Sequence, residues 1–314
     1  MTKHSFGGPW TEIKLDVLKQ YLEFFNTALQ YSPSEKNPFR RVYIDTFAGT
    51  GRCDIQVGAG NILQIEGSAK IAIETNPEFD EIHLADLKHK HVQALENLAV
   101  QDGKKRVFVH EKDANIALLE ILNKINWRAT RGVLFLDPYG MAVRWSSLER
   151  IAATQAIDVW YLFPISAVCR QAANNFSKID ERKAASLDAV LGTEAWRAQF
   201  YKESGQGNLF DGHDSVLERQ VAHQQITAWF QSRLMTIFKG WVNDPILLPD
   251  IGSPQFALFF AVSNPSPKAV SLSKKAAVHL LNMFKAQKFS KPQQLNNFRE
   301  NSQKQHDMFK VEKD

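Results

Sequence analysis

Short apolar runs alternate with amphipathic segments along the first half of the chain. Strand-length apolar runs lie at residues 41–47, 81–85, 106–110, 132–136 and 157–163. Apolar residues at helical spacing predict helices at 10–30, 69–74, 88–100, 116–125 and 145–154. Parallel strands are covered on both faces, so they consist of continuous apolar residues instead of alternating ones. The pattern predicts an α/β fold with a Rossmann-like, doubly wound sheet.

Two stretches depart from this alternation. Residues 52–66 are glycine-rich and irregular, and we interpret them as a loop or flap. Residues 167–196 have a mainly helical period, and residues 204–213 are polar and glycine-rich. The remaining predicted elements are a long helix at 216–238, strands at 245–248 and 255–262, and a helix at 268–284.

The change of pattern after residue 166 predicts several regions along the chain. These are an N-terminal helix region (1–38), an α/β core that contains the strand-end motifs described below (39–166), a helical insertion (167–242), last strands and a helix (243–289), and a flexible basic tail (290–314). The last strands either complete the core or form a separate winged-helix-like module, and the sequence leaves both interpretations open.

The charge of the chain is unevenly distributed. The net charge is +4, whereas residues 266–314 hold ten Lys or Arg and four Asp or Glu. A basic segment of this kind suits contact with a phosphate backbone, so we expect nucleic acid as a partner. A solvated helix face with a loose tail is the alternative interpretation.

Other features of the sequence narrow the class of protein. No apolar run approaches the roughly 18 residues of a membrane span, and no secretory signal is visible. The two cysteines, Cys53 and Cys169, make no disulfide framework, and the nine histidines lack the spacing of a metal site. We therefore expect a cytoplasmic protein with no metal site and no membrane contact.

The clearest chemical motif follows the first apolar run. It reads Asp45-Thr46-Phe47-Ala48-Gly49-Thr50-Gly51. Glycines in such a turn let the backbone approach a ligand closely. An acid within the turn argues against a phosphate-binding loop, because negative charge beside phosphates is unfavourable. It suits S-adenosylmethionine (SAM), whose methionine end carries an ammonium group and a sulfonium.

Three further acids follow successive predicted strands, namely Asp86, Asp113 and Asp137. Ligands of open α/β sheets bind outside the carboxyl ends of the strands. Asp86 is placed to bind paired ribose hydroxyls, and Asp113 to receive an adenine amino group. Taken singly, Asp86 is better explained as a helix cap or loop acid, and Asp113 as the N-cap of the next helix. The prediction therefore depends on all four acids together, with Asp45 as the first.

The four strand ends, in this order, resemble those of class I SAM-dependent methyltransferases. The cofactor-binding residues that this resemblance implies are Asp45, Phe47, Ala48, Gly49 and Gly51 for the methionine moiety, Asp86 for the ribose and Asp113 for the adenine. The implied fold is the class I methyltransferase type of doubly wound sheet, with a helical insertion or a small C-terminal module.

The segment Asp137-Pro138-Tyr139-Gly140 resembles the Asp-Pro-Pro-Tyr motif of enzymes that methylate exocyclic amines of bases. It has one proline, and a glycine follows the tyrosine, which is closer to the tRNA guanine-N2 methyltransferases. The resemblance implies that Asp137, Pro138 and Tyr139 are catalytic. Asp137 would accept hydrogen bonds from the target amine while Tyr139 stacks on the base. The target atom stays open.

Most of the chain also resembles the three-Cys-motif partner proteins (TcmP). The segments that carry this resemblance are Trp10-Thr11 with Lys14-Leu15, and residues 43–49, 66–69, 135–140 and 259–264. Members of that family are methyltransferase-like and are named for a partner protein with three cysteines. The resemblance implies such a partner for this chain, and it supplies no substrate.

Several other functions stay open at this point. The chain could be a SAM-binding partner subunit without independent activity, or it could methylate a small molecule or a protein. It could also be a nucleic-acid-binding module with an inactive site. A thiol mechanism would use Cys169 to attack a pyrimidine ring carbon, although free cysteines are commonly buried in packed helices.

Overall fold

The computed structural model describes residues 9–57, 61–203, 217–248 and 253–288. Strands and helices alternate up to residue 163. The elements are α1 (Pro9–Leu29), β1 (Arg40–Asp45), β2 (Arg52–Val57), β3 (Asn61–Glu66), α2 (Ser68–Glu74), β4 (Glu81–Asp86), α3 (His89–Asp102), β5 (Val107–Glu111), α4 (Ala114–Lys124), β6 (Thr130–Leu136), α5 (Trp145–Ala153) and β7 (Ile157–Phe163).

Beyond β7 the chain is mainly helical before it returns to the sheet. The elements are α6 (Ile165–Gln171), a 3-10 turn (Phe176–Lys178), α7 (Glu181–Leu191), α8 (Trp196–Phe200), β8 (Tyr201–Glu203), β9 (Leu217–Arg219), α9 (His223–Ile237), β10 (Trp241–Val242), β11 (Ile246–Leu248), β12 (Phe256–Val262) and α10 (Pro267–Lys288).

The central sheet has eight strands in the order β10-β12-β7-β6-β1-β4-β5, and β11 pairs with β12. The pairs from β7 to β5 are parallel, and β12 is antiparallel to β7. Counted along the chain, the five parallel strands lie in the order 3-2-1-4-5, which is a doubly wound order. This confirms the predicted α/β fold. The strand order reverses between β1 and β6.

Strand β7 shows why the parallel strands are continuous apolar runs. All seven of its residues are buried. Tyr161 and Phe163 face a cluster that includes α4–α9, where the rings of Phe163 and Phe230 stack with centroids 3.9 Å apart. Trp160 faces a second cluster formed with α1, α2 and α10, and its ring contacts Phe260 at 4.6 Å. Helices thus cover both faces of the sheet.

The prediction of a loop or flap at residues 52–66 is wrong. Strands β2 and β3 pair antiparallel from Arg52↔Glu66 to Val57↔Asn61 and form a hairpin outside the central sheet. Polar and apolar residues alternate along β2, which is the pattern of a strand with one covered face, whereas the adjacent Ile62 and Leu63 interrupt the alternation in β3. The glycine-rich segment lies between the strands, at residues 58–60, which are outside the described part.

The single helix predicted at 216–238 is also wrong in its first part. Residues 217–219 form β9, which pairs with β8, and α9 begins only at His223. The backbone N–H of Ala222 donates to the Gln225 side chain, and this contact closes the first turn of α9. Strands β8 and β10 were not predicted, because runs of three and two residues carry no measurable period.

The last strands belong to the central sheet. β12 pairs with β7 along its whole length, from Ala257↔Phe163 to Val262↔Asp158, and α10 packs beside α1. They therefore complete the core instead of forming a winged-helix-like module. The predicted polar stretch at 204–213 and the basic tail at 290–314 lie outside the described residues. Within the described part, no helix is both long and apolar enough to cross a membrane.

Candidate functional site

Asp45 ends β1 at the carboxyl edge of the sheet and is almost fully buried. Its carboxylate accepts hydrogen bonds from Ser68 Oγ at 2.6 Å, from the backbone N–H of Phe47 at 3.0 Å and from Tyr43 Oη at 3.3 Å. Burial raises the pKa of Asp45 to about 6, although the donors from Ser68 and Phe47 lower it. The nearby charge of Asp137 raises it further. The two acids therefore share one region of negative potential.

The glycine turn after Asp45 has the conformation that its sequence predicts. Gly49 and Gly51 have φ of +59° and +72°, a region that L side chains rarely adopt. A side chain on Gly51 would overlap Leu98, and one on Gly67 would overlap the backbone of Gly51. At Gly49, by contrast, no atom lies within 4 Å of a Cβ position. The turn therefore packs tightly at Gly51, against Leu98 and Gly67, whereas the backbone at Gly49 adjoins open space.

Asp86 ends β4 and binds the turn. Its Oδ2 accepts from the Gly49 N–H at 3.1 Å, and its Oδ1 accepts from the Lys88 N–H at 2.8 Å. His91 Nδ1 lies 3.1 Å from Oδ2, at an angle that makes no hydrogen bond. The Ala48 N–H also bonds to the carbonyl of Ala85. The first motif is thus fixed against β4 at two adjacent residues.

Asp113 has the helix-capping role that was its alternative interpretation. Its side chain accepts from the backbone N–H groups of Asn115 and Ile116 at the start of α4, at 3.0 and 3.3 Å. Asp113 also lines an open cleft of about 460 Å³ that reaches Gly140. The predicted adenine contact stays a prediction.

Asp137 follows β6 and forms an ion pair with Lys14 of α1, a residue 123 positions away in the chain. The Lys14 side chain is only 10% exposed and the Asp137 side chain 29%. The donor is the Lys14 ammonium and the acceptor is Asp137 Oδ2, and no described residue donates to Oδ1. The pair holds the carboxylate in one orientation.

The residues beside Asp137 differ in exposure. Pro138 is buried, whereas Tyr139 is 53% exposed and has the Lys88 ammonium 5.2 Å from the centre of its ring. Gly140 has φ of +63° and, like Gly49, open space at its Cβ position. The tyrosine ring therefore lies at the surface, directly after the partly buried Asp137 and the buried Pro138.

The structure brings together most of the predicted site. Asp45, Asp86 and Asp137 follow three adjacent strands, β1, β4 and β6, with the glycine turn between them. Phe47 is half-buried against the core, and Ala48 is buried. Asp113 follows the edge strand β5 and lies at the rim of the group.

Two contributors to this site were missed in the sequence. Lys14 contacts Asp137 and Ser68 contacts Asp45. A signal existed for each of them. Lys14 lies seven residues before Tyr21, on the buried side of an amphipathic helix, where a lysine is unusual. Ser68 follows Gly67, whose lack of a side chain permits the close approach to Gly51.

Cys169 does not have the surroundings of a nucleophile. Burial raises the pKa of the Cys169 thiol, an effect only partly offset by Arg219, and this disfavours the reactive thiolate. The side chain of Cys53 lies outside the described part.

Comparisons with known proteins add little to this geometry. No family model matches the chain, and no curated protein matches it. A crystal structure of protein LPL1258 from Legionella pneumophila str. Philadelphia 1, with the family-model name DUF519, is similar at a TM-score of 0.43. The identity is 15% over 85% of this chain and 92% of that one. A likeness this weak carries no argument about function, and membership of the TcmP family stays a prediction.

Proposed function

We propose that this chain is a SAM-dependent methyltransferase of the class I type and that it acts on an exocyclic amine of a nucleic-acid base. The observation that carries the proposal is the meeting of Asp45, Asp86 and Asp137 at the carboxyl ends of three adjacent parallel strands. The point where the strand order reverses lies among them, between β1 and β6. Ligands of doubly wound sheets bind in the crevice at that point.

Several features of the turn fit SAM. The Gly49 backbone is open to a ligand, because nothing occupies the space above its Cβ position. Thr46 Oγ1 is buried, and no described residue bonds to it. Asp86 uses its oxygens for two backbone donors, and a carboxylate has about four acceptor sites, so ribose hydroxyls can still donate to it. Asp45 supplies negative potential beneath a methionine ammonium group.

SAM, when bound, supplies an electrophilic methyl group on its sulfonium. The chain's own task is to place an amine against that group. The amine of a base is a weak nucleophile, so alignment has to supply most of the rate, and well-oriented reactants gain about 7–11 kcal/mol. Asp137 Oδ1 can accept a hydrogen bond from the amine while Lys14 holds Oδ2. This contact directs the amine lone pair towards the methyl group. As the new N–C bond forms in place of the S–C bond, Asp137 Oδ1 accepts the proton that the amine nitrogen loses.

Tyr139 supports a base as the substrate. Its ring is more than half exposed and directly follows the Asp137-Pro138 step. Stacking of a base on an aromatic ring is worth about 1–3 kcal/mol, and a base in a duplex first has to be flipped out of its stack. A planar substrate on Tyr139 would bring its amino group to the neighbouring carboxylate. A small molecule or a protein side chain without a π-face would gain less from this ring.

The first test is calorimetric titration of the chain with SAM, together with Asp45→Ala and Asp158→Asn. Asp158 is a matched control, because it is a buried acid bonded to a tyrosine and a serine at the opposite edge of the sheet. We expect Asp45→Ala to weaken SAM binding by about 1–4 kcal/mol, the range for two unit charges about 4 Å apart in water or near a protein surface. Asp158→Asn should bind like the wild type.

A labelled-methyl assay over tRNA, rRNA and DNA then tests the substrate class. Label that nuclease treatment releases from the acid-insoluble fraction supports a nucleic acid, whereas label that resists nuclease identifies a protein product. Binding of SAM without transfer, followed by transfer once a three-Cys-motif protein is added, identifies the chain as a partner-dependent subunit. SAM binding that is equal in the wild type and Asp45→Ala would remove the proposed site.

A further inference from the structure

A polar groove leads away from the candidate site along the helical insertion. The cleft beside Asp113 and Gly140 continues along α6 to the start of α7, where a second cleft of about 410 Å³ adjoins it. Gln171 and Ser186 line both clefts, so the two are continuous. The helical insertion therefore forms one wall of a groove that opens at the site.

Three guanidinium groups line this groove. They belong to Arg144 at the start of α5, Arg170 on α6 and Arg182 in the first turn of α7, and all three residues are exposed. No described acidic side chain forms an ion pair with any of them. Arg170 donates to Ser166 Oγ at 2.6 Å, which fixes its direction. We call the groove between these residues the arginine groove.

Two carboxylates, those of Asp113 and Asp180, also line the arginine groove and offset part of its positive charge. Asp113 caps α4, and Asp180 caps α7 by accepting from the Lys183 N–H at 2.8 Å. Both acids are therefore committed to helix N-termini. Lys183 is itself engaged, because its ammonium donates to the Lys178 carbonyl at 2.7 Å and lies 3.5 Å from Asp180. Four cations, the three arginines and Lys183, therefore line the groove against two carboxylates, and the lining keeps a net positive formal charge.

The wall of the groove next to the site is rigid. Asn115 of α4 donates to the carbonyl of Ala142 at 2.9 Å. Its Oδ1 accepts from the Arg144 N–H at 3.0 Å and from Ser147 Oγ at 2.8 Å. This one side chain ties the segment after Tyr139 to α4 and sets the position of Arg144. These bonds fix the backbone from which the Arg144 side chain extends into the groove.

We infer that the arginine groove binds the phosphodiester backbone of a single-stranded nucleic acid whose target base is held at Tyr139. Guanidinium groups match phosphate oxygens in pairs, and arginine is the usual residue where such recognition matters. A single strand fits because a base has to leave its stack to reach Tyr139, and this costs least when the base is unpaired. The inference depends on the proposed function for the role of Tyr139, and it places the backbone contact on the insertion instead of on the tail.

The test measures binding of a short fluorescein-labelled oligouridylate by anisotropy over a series of salt concentrations. The groove variant is Arg144→Gln/Arg170→Gln/Arg182→Gln. Its control is Arg128→Gln/Arg150→Gln/Lys239→Gln, which removes the same charge from exposed residues at the opposite edge of the sheet. Each phosphate contact on a single strand contributes roughly 0.7 to the slope of log affinity against log salt, so we expect the groove variant to lose about 2. The control should keep the wild-type slope.

A second variant, Ala189→Glu, keeps all three arginines and adds a negative charge to an exposed lining residue. It should weaken binding at low salt. Equal losses in the two triple variants, or an unchanged slope in the groove variant, would overturn the inference. The SAM titration separates this result from the proposed function. Intact SAM binding without a groove effect rejects the groove alone, and a groove effect without SAM binding rejects the methyltransferase alone.

Discussion

Asp45 and Asp158 are two buried carboxylates with almost the same surroundings at opposite edges of one sheet. Asp45 accepts from Tyr43 and Ser68, and Asp158 accepts from Tyr21 at 2.6 Å and Ser273 at 2.8 Å. Burial raises the pKa of each to about 6. A buried acid with a tyrosine and a serine donor therefore does not by itself mark a functional site.

The difference between the two lies in what covers them. Asp158 begins β7 and is covered by α1 and α10, the helices that supply its donors. Asp45 ends β1, where the chain turns through Gly49 with open space above the backbone, and a second acid lies close by. The acids at the carboxyl edge of the sheet therefore lie beside an opening. Asp158 at the amino edge is instead covered by two helices.

Helix α1 contacts both edges. Lys14 pairs with Asp137 at the carboxyl edge and Tyr21 donates to Asp158 at the amino edge. Seven residues separate them, so they lie on one face of the helix about 10 Å apart along its axis. Helix α1 therefore donates a buried hydrogen bond at the amino edge and contributes a cation to the candidate site at the carboxyl edge.

The largest expected effect is on the rate of methyl transfer, through an acid at the carboxyl edge. Asp137→Ala should lower methyl transfer by at least a hundredfold, because positioned acid–base groups contribute about 10²–10⁴. SAM affinity should change little. Asp158→Asn, measured in parallel with labelled SAM, should retain transfer. Transfer by Asp137→Ala at the wild-type rate would show that this carboxylate does not hold the amine.

The second prediction concerns stability at the amino edge. The pKa of Asp158 is raised from 3.8 to about 6 by burial, so the folded chain binds this proton more tightly than the unfolded chain. The protonated carboxyl therefore stabilises the fold below about pH 4, and this contribution is lost as the pH rises through about 6. Its size is about 3 kcal/mol. The Asp158→Asn variant has no titrating group at this position, so its stability does not fall in this way as the pH rises.

Urea denaturation of the wild type and Asp158→Asn across this range provides the measurement. The difference in free energy of unfolding should shift in favour of the variant by about 3 kcal/mol between about pH 4 and pH 7. Asp45 titrates in the same range, but it is present in both proteins and cancels in the difference. Parallel pH profiles for the two proteins would mean that Asp158 is not a buried, proton-binding group.

The sequence predicts those features that depend on local pattern. β7 was predicted with its observed bounds, because all of its residues are buried and all except Asp158 are apolar. The hairpin at 52–66 was missed because only β2 alternates and the central glycines outweighed that single short signal. The Lys14–Asp137 pair joins residues 123 positions apart, and only the docking of α1 on the sheet determines it. Long-range pairs of this kind have no periodic signal.

A smaller effect on rate is expected from Lys14→Gln. A hydrogen bond to a charged group is worth about 1.5–3 kcal/mol, so kcat should fall roughly tenfold to a hundredfold while the KM for nucleic acid changes little. Lys19→Gln is the control, since Lys19 is exposed on the same helix. Steady-state kinetics separate the two constants. A raised KM with unchanged kcat would assign Lys14 to substrate binding instead of to the orientation of Asp137.

The smallest expected effect comes from alanine substitutions at two glycines with similar left-handed backbone conformations. Gly49 and Gly103 have φ of +59° and +68°, and a Cβ on either would meet no atom within 4 Å. Alanine at each position should lower the free energy of unfolding by about 1 kcal/mol, because the left-handed conformation costs roughly 1–2 kcal/mol for L residues. Gly103 ends α3, away from the site, so Gly103→Ala should bind SAM normally. Gly49→Ala places a methyl group in the open space and should weaken SAM binding beyond its effect on stability. Equal SAM affinity in the two variants would show that the opening above Gly49 is not where the cofactor lies.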